Sequence, residues 1–524
     1  MTGKQHDSLF SRRTVMAGGG ALLLTGGSAL AQATAPVRCK AGAFQGTVER
    51  GVRVFRGIRY GRAERFKAPV AVPAPAGVQP AAAFGPVCPQ AGDRYGPQSE
   101  DCLFLNIWTS EADPRARKPV MLYIHGGAYS TGSVTDPLND GQALAARGDV
   151  VVVTVNHRLN ALGYLYLARL DPRFADSGNL GQLDLVLALQ WVRDNIAAFG
   201  GDPARVMVFG QSGGGAKIAT MMGMPAAKGL FHRAATMSGQ QVTASGPLNA
   251  TARTRAYLAK LGVAEGNPDA LLELAVERLV EGLAATDPIL GGGVYFGPVL
   301  DMRWLTRHPF WPDANPQSLG IPMVLGNTRD ETRAFIAPDS AKLQGLGWDN
   351  VAERIAPELR IDVLPEWVVA QYRAQFPDWS PSDVFYAATT AGRSWRGQVI
   401  EAEERARAGA PGWVYQLDFG SRTDPRRGAF HTMDIPLVFG TLDAAGSHTG
   451  SGADARAASQ AMQDSFVSFA ATGDPNHRGL PQWPRYDLER RATMIFDVPP
   501  HVENDPRKWQ RELFARVPYI QPGT

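Results

Sequence analysis

The sequence predicts an α/β fold: a large mixed, mainly parallel sheet flanked by helices, with further helical insertions over one edge. Three observations predict it. Residues 150–155 hold five valines, and 206–209 form a second unbroken apolar run, the pattern of strands buried on both faces. Residues 184–199 carry apolar side chains at helical spacing and stop at Gly200-Gly201-Asp202-Pro203. Residues 205–224 then read as strand, glycine turn and helix in immediate succession. Strands that alternate with helices build a parallel sheet covered on both faces.

Ahead of that core, residues 1–31 read as an address. Ser11-Arg12-Arg13-Thr14-Val15-Met16 resembles a twin-arginine signal, and an apolar, glycine-rich run follows to Leu30. Ala29-Leu30-Ala31 fits a cleavage site, with Ala33-Thr34-Ala35 as a later option. The run is too short and too rich in glycine to span a bilayer, and no other stretch is long enough. The reading is an exported chain, periplasmic or secreted, with no stable membrane anchor and with residues 32–524 as one domain. Cleavage removes Lys4, Arg12 and Arg13 against Asp7, so a formal charge of +3 falls toward neutrality. That balance gives no case for nucleic acid or an anionic membrane as partner.

The remaining elements follow in order. Residues 45–48 and 52–55 alternate like a small hairpin, and a Pro/Ala-rich connector runs over 68–80. Residues 99–108 and 120–124 are strands, the second leading into the glycine loop His125-Gly126-Gly127-Ala128-Tyr129. Beyond the glycine turn at 210–215, residues 235–238, 321–326 and 413–418 read as strands, and 460–472 as a helix. Residues 271–283 and 343–407 are mainly helical insertions. No repeat and no interdomain linker interrupts the chain.

Cys39, Cys88 and Cys102 are the three cysteines. An oxidising compartment permits a Cys88–Cys102 bond, whose loop of about 15 residues would contribute about 3 kcal/mol. With no C-x-x-C and no H-E-x-x-H, neither a metal site nor a cofactor is expected.

Gly210-Gln211-Ser212-Gly213-Gly214 fits G-x-S-x-G, and its strand–turn–helix setting makes Ser212 a candidate nucleophile. A phosphate loop fails on spacing, because Ala216 stands where its lysine belongs and Ile218 follows Lys217. A serine needs a base, and the base an orienting acid. His431 lies in the loop after the 413–418 strand, where such a base would sit; His448 falls in a Gly/Ser tract and His232 in a packed turn. The acid belongs after the 321–326 strand, where Asp330 and Glu331 are adjacent. One would serve the imidazole and the other pair locally, with Arg329 or Arg333. Backbone N–H groups of Gly126, Gly127, Ala128 and Gly213 would form an oxyanion hole, with His125 bracing its loop.

The chain resembles the type-B carboxylesterase family, of the α/β-hydrolase fold. The likeness is carried by FRGIRYG, SEDCLFLNIW, HGGAY, VNHRLNALGYL, GQSGGG, GLFHRAATMSG, GNTRDET, HTMDIPLVFG and FAATGDPN, which run in family order over most of the mature chain. It implies a serine carboxylesterase acting on small-molecule esters, with the helical insertions over the active site. It implies Ser212 as nucleophile, His431 as base, Glu331 as the orienting acid, and oxyanion donors at Gly127, Ala128 and Gly213. It also implies a Cys88–Cys102 disulfide. The same triad would serve amide, thioester or polyester bonds; the other alternative, a non-catalytic binding scaffold as in some family members, is opposed by the presence of serine, acid and histidine together. Departures are Gln211 for the usual Glu, Gly213 for Ala, Arg59 for Pro, and Lys217 where small residues are commoner. The Cys88–Cys102 loop has no tryptophan, which argues against a choline-binding aromatic cage. Candidate pocket aromatics are Tyr129, Tyr295, Phe296, Trp348 and Trp395.

Overall fold

Seven parallel strands carry the centre of a twelve-stranded sheet, and antiparallel strands flank them. On one side lie β1 (Gln32–Ala33), β2 (Thr47–Glu49), β3 (Val52–Arg59) and β4 (Phe104–Thr109). The parallel strands are β5 (Lys118–Ile124), β6 (Val151–Val155), β7 (Gly201–Gln211), β8 (Arg233–Met237), β9 (Met323–Thr328), β10 (Gly412–Leu417) and β11 (Ala492–Phe496). Their spatial order is β6-β5-β7-β8-β9-β10-β11, and β12 (His501–Asn504) closes the sheet antiparallel. This computed structural model describes residues 32–521 and 523–524. The twin-arginine segment and its first cleavage site lie outside the described residues.

The sheet is buried on both faces, as its apolar runs require. Val120, Leu122 and Ile124 of β5 join one core, while Met121 and Tyr123 join the other. Val206 and Val208 of β7 divide from Met207 and Phe209 in the same way. Alternation follows from the two-residue period of a strand; burying both sets is what makes the run continuously apolar. Because the central strands are parallel, the segments after β5, β7, β9 and β10 all leave at the sheet's carboxyl edge, where α/β folds place their sites.

The helix read at 184–199 starts earlier, as α1 (Leu180–Asn195), and tightens into a 3-10 turn at Ile196–Phe199 before Gly200 takes the left-handed cap. The helix after the Ser212 glycine turn, the elbow, is α2 (Gly213–Met222). In the insertion, α3 (Pro381–Thr390) begins with a capping box between Ser380 and Asp383. It runs through a π-helical turn, Ala391–Trp395, into α4 (Arg396–Arg407). This insertion has its own apolar cluster, built around Val368, Tyr372, Val384 and Phe385. The late helix is α5 (Ala453–Thr472).

Three outcomes differ in kind: one expectation is refined, two strands were missed, and one expectation is corrected. Residues 271–283 are mainly helical as expected, in two short helices, Ala270–Glu273 and Val276–Glu281, followed by a 3-10 turn at Gly282–Ala284. Strands β11 and β12 have no counterpart in the sequence reading. Cys88 and Cys102 are brought together but not bonded. Both are buried free thiols: Cys88 Sγ lies 3.7 Å from Pro89 O and accepts from Leu159 N at 3.2 Å. A hydrogen bond to Cys88, together with burial, pushes the Cys102 thiol pKa well up.

Candidate active site

Ser212 follows β7 with φ 54° and ψ −124°, a backbone conformation that costs an L-residue of order 1–3 kcal/mol. The surrounding chain holds it there. Ser212 N donates to Met237 O at 2.7 Å, and Ala216 N donates to Ser212 O at 3.0 Å. The glycines are required by close approach. A Cβ on Gly214 would stand 1.9 Å from Ile124 O, and one on Gly210 2.7 Å from the Gly214 carbonyl carbon.

The acid loop leaves β9 two strands away. Glu331 is buried, and its Oε1 accepts from Thr328 N at 2.8 Å and Asn327 Nδ2 at 3.0 Å. Its Oε2 accepts from His431 Nδ1. Burial alone would raise this carboxyl's pKa, but the His431 charge and the bonds from His431 and Asn327 outweigh it and hold it below its ordinary value. Asp330 serves the backbone instead. Its Oδ2 accepts from Ala429 N at 3.0 Å and pairs with Arg329 at 3.3 Å, while Oδ1 lies 3.5 Å from Arg333. The two neighbours divide the labour: Glu331 orients the ring, and Asp330 anchors the turn leading to it.

His431 is buried, with the Phe335 ring 4.9 Å from its own. Donation of Nδ1–H to Glu331 leaves Nε2 of the neutral ring as an acceptor. Gln211 Nε2 lies 3.1 Å from that atom, so the amide donates to it. The opposite amide orientation would set two acceptors face to face. Among the described residues no hydrogen bond joins Ser212 Oγ to His431; the amide of Gln211 occupies the lone pair.

After β5, Gly127 and Ala128 take φ +88° and +53°. The Gly127 carbonyl accepts from Ser130 N at 3.1 Å and Thr131 N at 3.0 Å, closing a tight turn. The N–H groups of Gly127, Ala128 and Gly213 meet no protein acceptor among the described residues. Two departures from the family pattern meet at the Ala128 carbonyl. A Cβ on Gly213 would lie 2.0 Å from that oxygen, so alanine is excluded with the loop in this position. Lys217 Nζ, from the next turn of α2, donates to the same oxygen at 2.6 Å and stands 4.9 Å from the Tyr129 ring centre. Lys217 is fully buried, and burial pushes its pKa down to about 7. His125 is a brace: its Nδ1 lies 2.9 Å from Gly126 O, and its ring stacks at 4.6 Å on His157. Burial, then the Lys217 charge, lower its pKa to about 3, which keeps it neutral.

A serine on a strained glycine turn, a buried acid–imidazole pair and free backbone donors are the parts of an acyl-transfer site. A model of the carboxylesterase family matches residues 33–514. The chain belongs to the carboxylesterase family. It is 36% identical to the para-nitrobenzyl esterase of Bacillus subtilis over 500 residues, covering 90% of this chain and 96% of that one. Phenmedipham hydrolase of Pseudarthrobacter oxydans is 31% identical over 484 residues, covering 87% and 93%. A carboxylesterase structure from Geobacillus stearothermophilus superposes with a TM-score of 0.82 at 37% identity, over 91% of this chain and 99% of its own. The protein is a carboxylic ester hydrolase of the α/β-hydrolase fold.

The carboxylesterase's site opens into a cavity of about 1020 Å³ lined by Ser212, His431, Gly127, Ala128 and Gly213. Of the five aromatics expected there, Tyr295 lines it. Tyr129 is buried, its hydroxyl donating to Gln241 Oε1 at 2.7 Å, and Phe296 is in the core. Trp348 is 38% exposed, and Trp395 borders a separate, smaller cavity. Phe335 and Phe430 line the site and were missed, although they follow Glu331 by four residues and immediately precede His431. Arg94, Arg360, Arg393 and Arg427 also line it. Three of these arginines come from insertions and loops without a motif, so nothing local in the sequence marked them.

Proposed function

We propose that this carboxylesterase hydrolyses small-molecule carboxylic esters through an acyl-enzyme on Ser212. His431 is the general base and Glu331 its orienting acid, with Gly127, Ala128 and Gly213 donating to the oxyanion. The buried Glu331–His431 Nδ1 contact carries the reading, because it leaves Nε2 as the acceptor at the wall of the cavity that also holds Ser212. Ser212 Oγ takes the place of the Gln211 amide on Nε2, passes its proton to His431 and attacks the ester carbonyl. Glu331 stabilises the imidazolium so formed. Each backbone N–H aimed at the developing oxyanion lowers the barrier by about 3–4 kcal/mol. His431 then protonates the departing alkoxide, and water repeats the sequence on the acyl-enzyme.

The test is turnover of short p-nitrophenyl esters by Ser212→Ala. The expected loss in kcat is roughly 10⁵- to 10⁶-fold; wild-type rates would sink the assignment.

We also propose export by the twin-arginine route, supported by Arg12-Arg13 and the apolar run after them. Replacing both with lysine should shift the protein from the periplasmic or secreted fraction to the cytoplasm. An unchanged distribution would rule the route out.

A further inference from the structure

The substrate cavity is far more basic than the chain that builds it. Arg94, Arg360, Arg393 and Arg427 line it, against one carboxylate, Asp136. Asp136 is already engaged, by Arg94 at 2.8 Å and the Tyr95 hydroxyl at 2.6 Å. The other three arginines are underused. Among the described residues the Arg360 guanidinium meets no hydrogen-bond acceptor and no carboxylate, and its Nε is buried unpaired. Arg427 is in the same position, with its Cζ 3.9 Å over the Phe430 ring and its Nε buried unpaired. Arg393 has one weak carboxylate contact, Glu358 at 3.5 Å, and Glu358 also pairs with Lys342 at 3.0 Å.

Backbone geometry aims this charge. Arg393 sits in the π-helical turn Ala391–Trp395, where the α3–α4 rod is locally widened, a feature that recurs at functional sites. Its Cζ lies 4.2 Å from the Phe335 ring centre, and that ring packs 4.9 Å from His431. One aromatic ring therefore separates a cation from the imidazole. Ser394, the next residue, also faces the cavity, with a buried hydroxyl that has no partner. Burial first, and the like charge of Arg360 after it, lower the Arg393 pKa despite Glu358. Unpaired guanidinium groups held side by side in a partly desolvated cavity are costly for the fold, and a bound carboxylate satisfies them with paired N–H donors.

We propose that the enzyme's preferred substrates are esters that carry a second, ionised carboxylate, held by Arg360 and Arg393 with Arg427 completing the positive wall. The proposal rests on the ester-hydrolase reading above and narrows its substrate class. No covalent step is added: the second carboxylate is bound, not transformed.

Two matched pairs test it. Mono-p-nitrophenyl adipate against its methyl ester places the charge on the acyl side, and 4-acetoxybenzoate against its methyl ester places it on the alcohol side. In at least one pair the anion should be preferred at least tenfold in kcat/KM at low ionic strength. That preference should fall as salt is raised, because exposed approach to the cavity is screened. Arg360→Gln and Arg393→Gln should each lower the anion-to-neutral ratio at least fivefold, mainly through KM. The ratio is internally controlled, so a partly misfolded variant still reports. Neutral esters used as well as or better than anions in both pairs would overturn the anion site and leave the esterase reading intact. No turnover of any of the four would overturn both.

Discussion

Two buried ionisable side chains flank the elbow and are solvated by opposite strategies. Glu331 is enclosed by donors, from His431, Asn327 and the Thr328 backbone. Lys217 has one carbonyl, that of Ala128, and the face of Tyr129. No carboxylate pairs with it among the described residues. The protein therefore stabilises the Glu331 charge and strains the Lys217 charge, which is why one pKa stays low and the other is driven down to about 7. The difference separates two ways of building a site: a carboxylate surrounded by donors beside the imidazole, and a single costly cation that holds the Ala128 backbone beside the proposed oxyanion donors, the oxyanion flank.

The largest break in that comparison comes from the acid. Glu331→Gln keeps the shape but removes the charge and the obligatory Nδ1–H acceptor pattern, so the tautomer of His431 is no longer enforced. A kcat loss of about 10⁴-fold is expected, as for the corresponding change in a serine protease triad. Asp330→Asn, one residue away, should cost less than about tenfold, since Asp330 holds the Ala429 backbone rather than the ring. Steady-state turnover of the two variants on one ester decides it, and equal losses would refute the division of labour.

Lys217→Met tests the other flank. It removes the ammonium from the Ala128 carbonyl but leaves every backbone donor in the chain. Deleting an oxyanion donor outright costs about 10²- to 10³-fold, so loosening one should lower kcat by about tenfold. KM should barely move, because the lost interaction belongs to the transition state. A proportionate rise in KM would instead place Lys217 in ground-state binding.

The acid–base flank was legible in the sequence because its parts are local: G-x-S-x-G sets its own turn, and Asp330 and Glu331 follow a strand directly. The residues alone did not choose between those acids, since adjacent carboxylates differ only in what the fold brings to them; the family resemblance pointed to Glu331. The oxyanion flank was half legible. Gly127, Ala128 and Gly213 stand in recognisable motifs, whereas the reason for Gly213 and Lys217 is one carbonyl oxygen, 89 residues from the lysine in the chain. Strand β11, ATMIF, went unseen although all five of its residues are buried in the sheet; unlike β5, β7, β9 and β10, it is followed by no glycine loop or candidate site residue to draw attention. The proximity of Cys88 and Cys102 was legible, but the disulfide read from them is absent: both are buried free thiols.

The smallest effect is thermodynamic, and its sign follows from the lysine's lowered pKa. In the unfolded chain Lys217 titrates near 10.5 and in the fold near 7. Below pH 7 both states hold the proton and the full cost of burying the charge is present. Between those values the unfolded chain binds a proton that the folded one lacks, so stability rises with pH across the window. Above the upper value both are neutral and the cost is gone. Methionine buries without charge, so Lys217→Met should melt roughly 2 °C or more above wild type at pH 6. That margin should shrink steadily from pH 7 to pH 10, where the lost Ala128 hydrogen bond turns against the variant. Paired thermal melts across this range read both limbs. A margin that stays constant with pH would show that Lys217 keeps its proton in the fold, and the oxyanion flank would then carry a permanent cation rather than a titrating one.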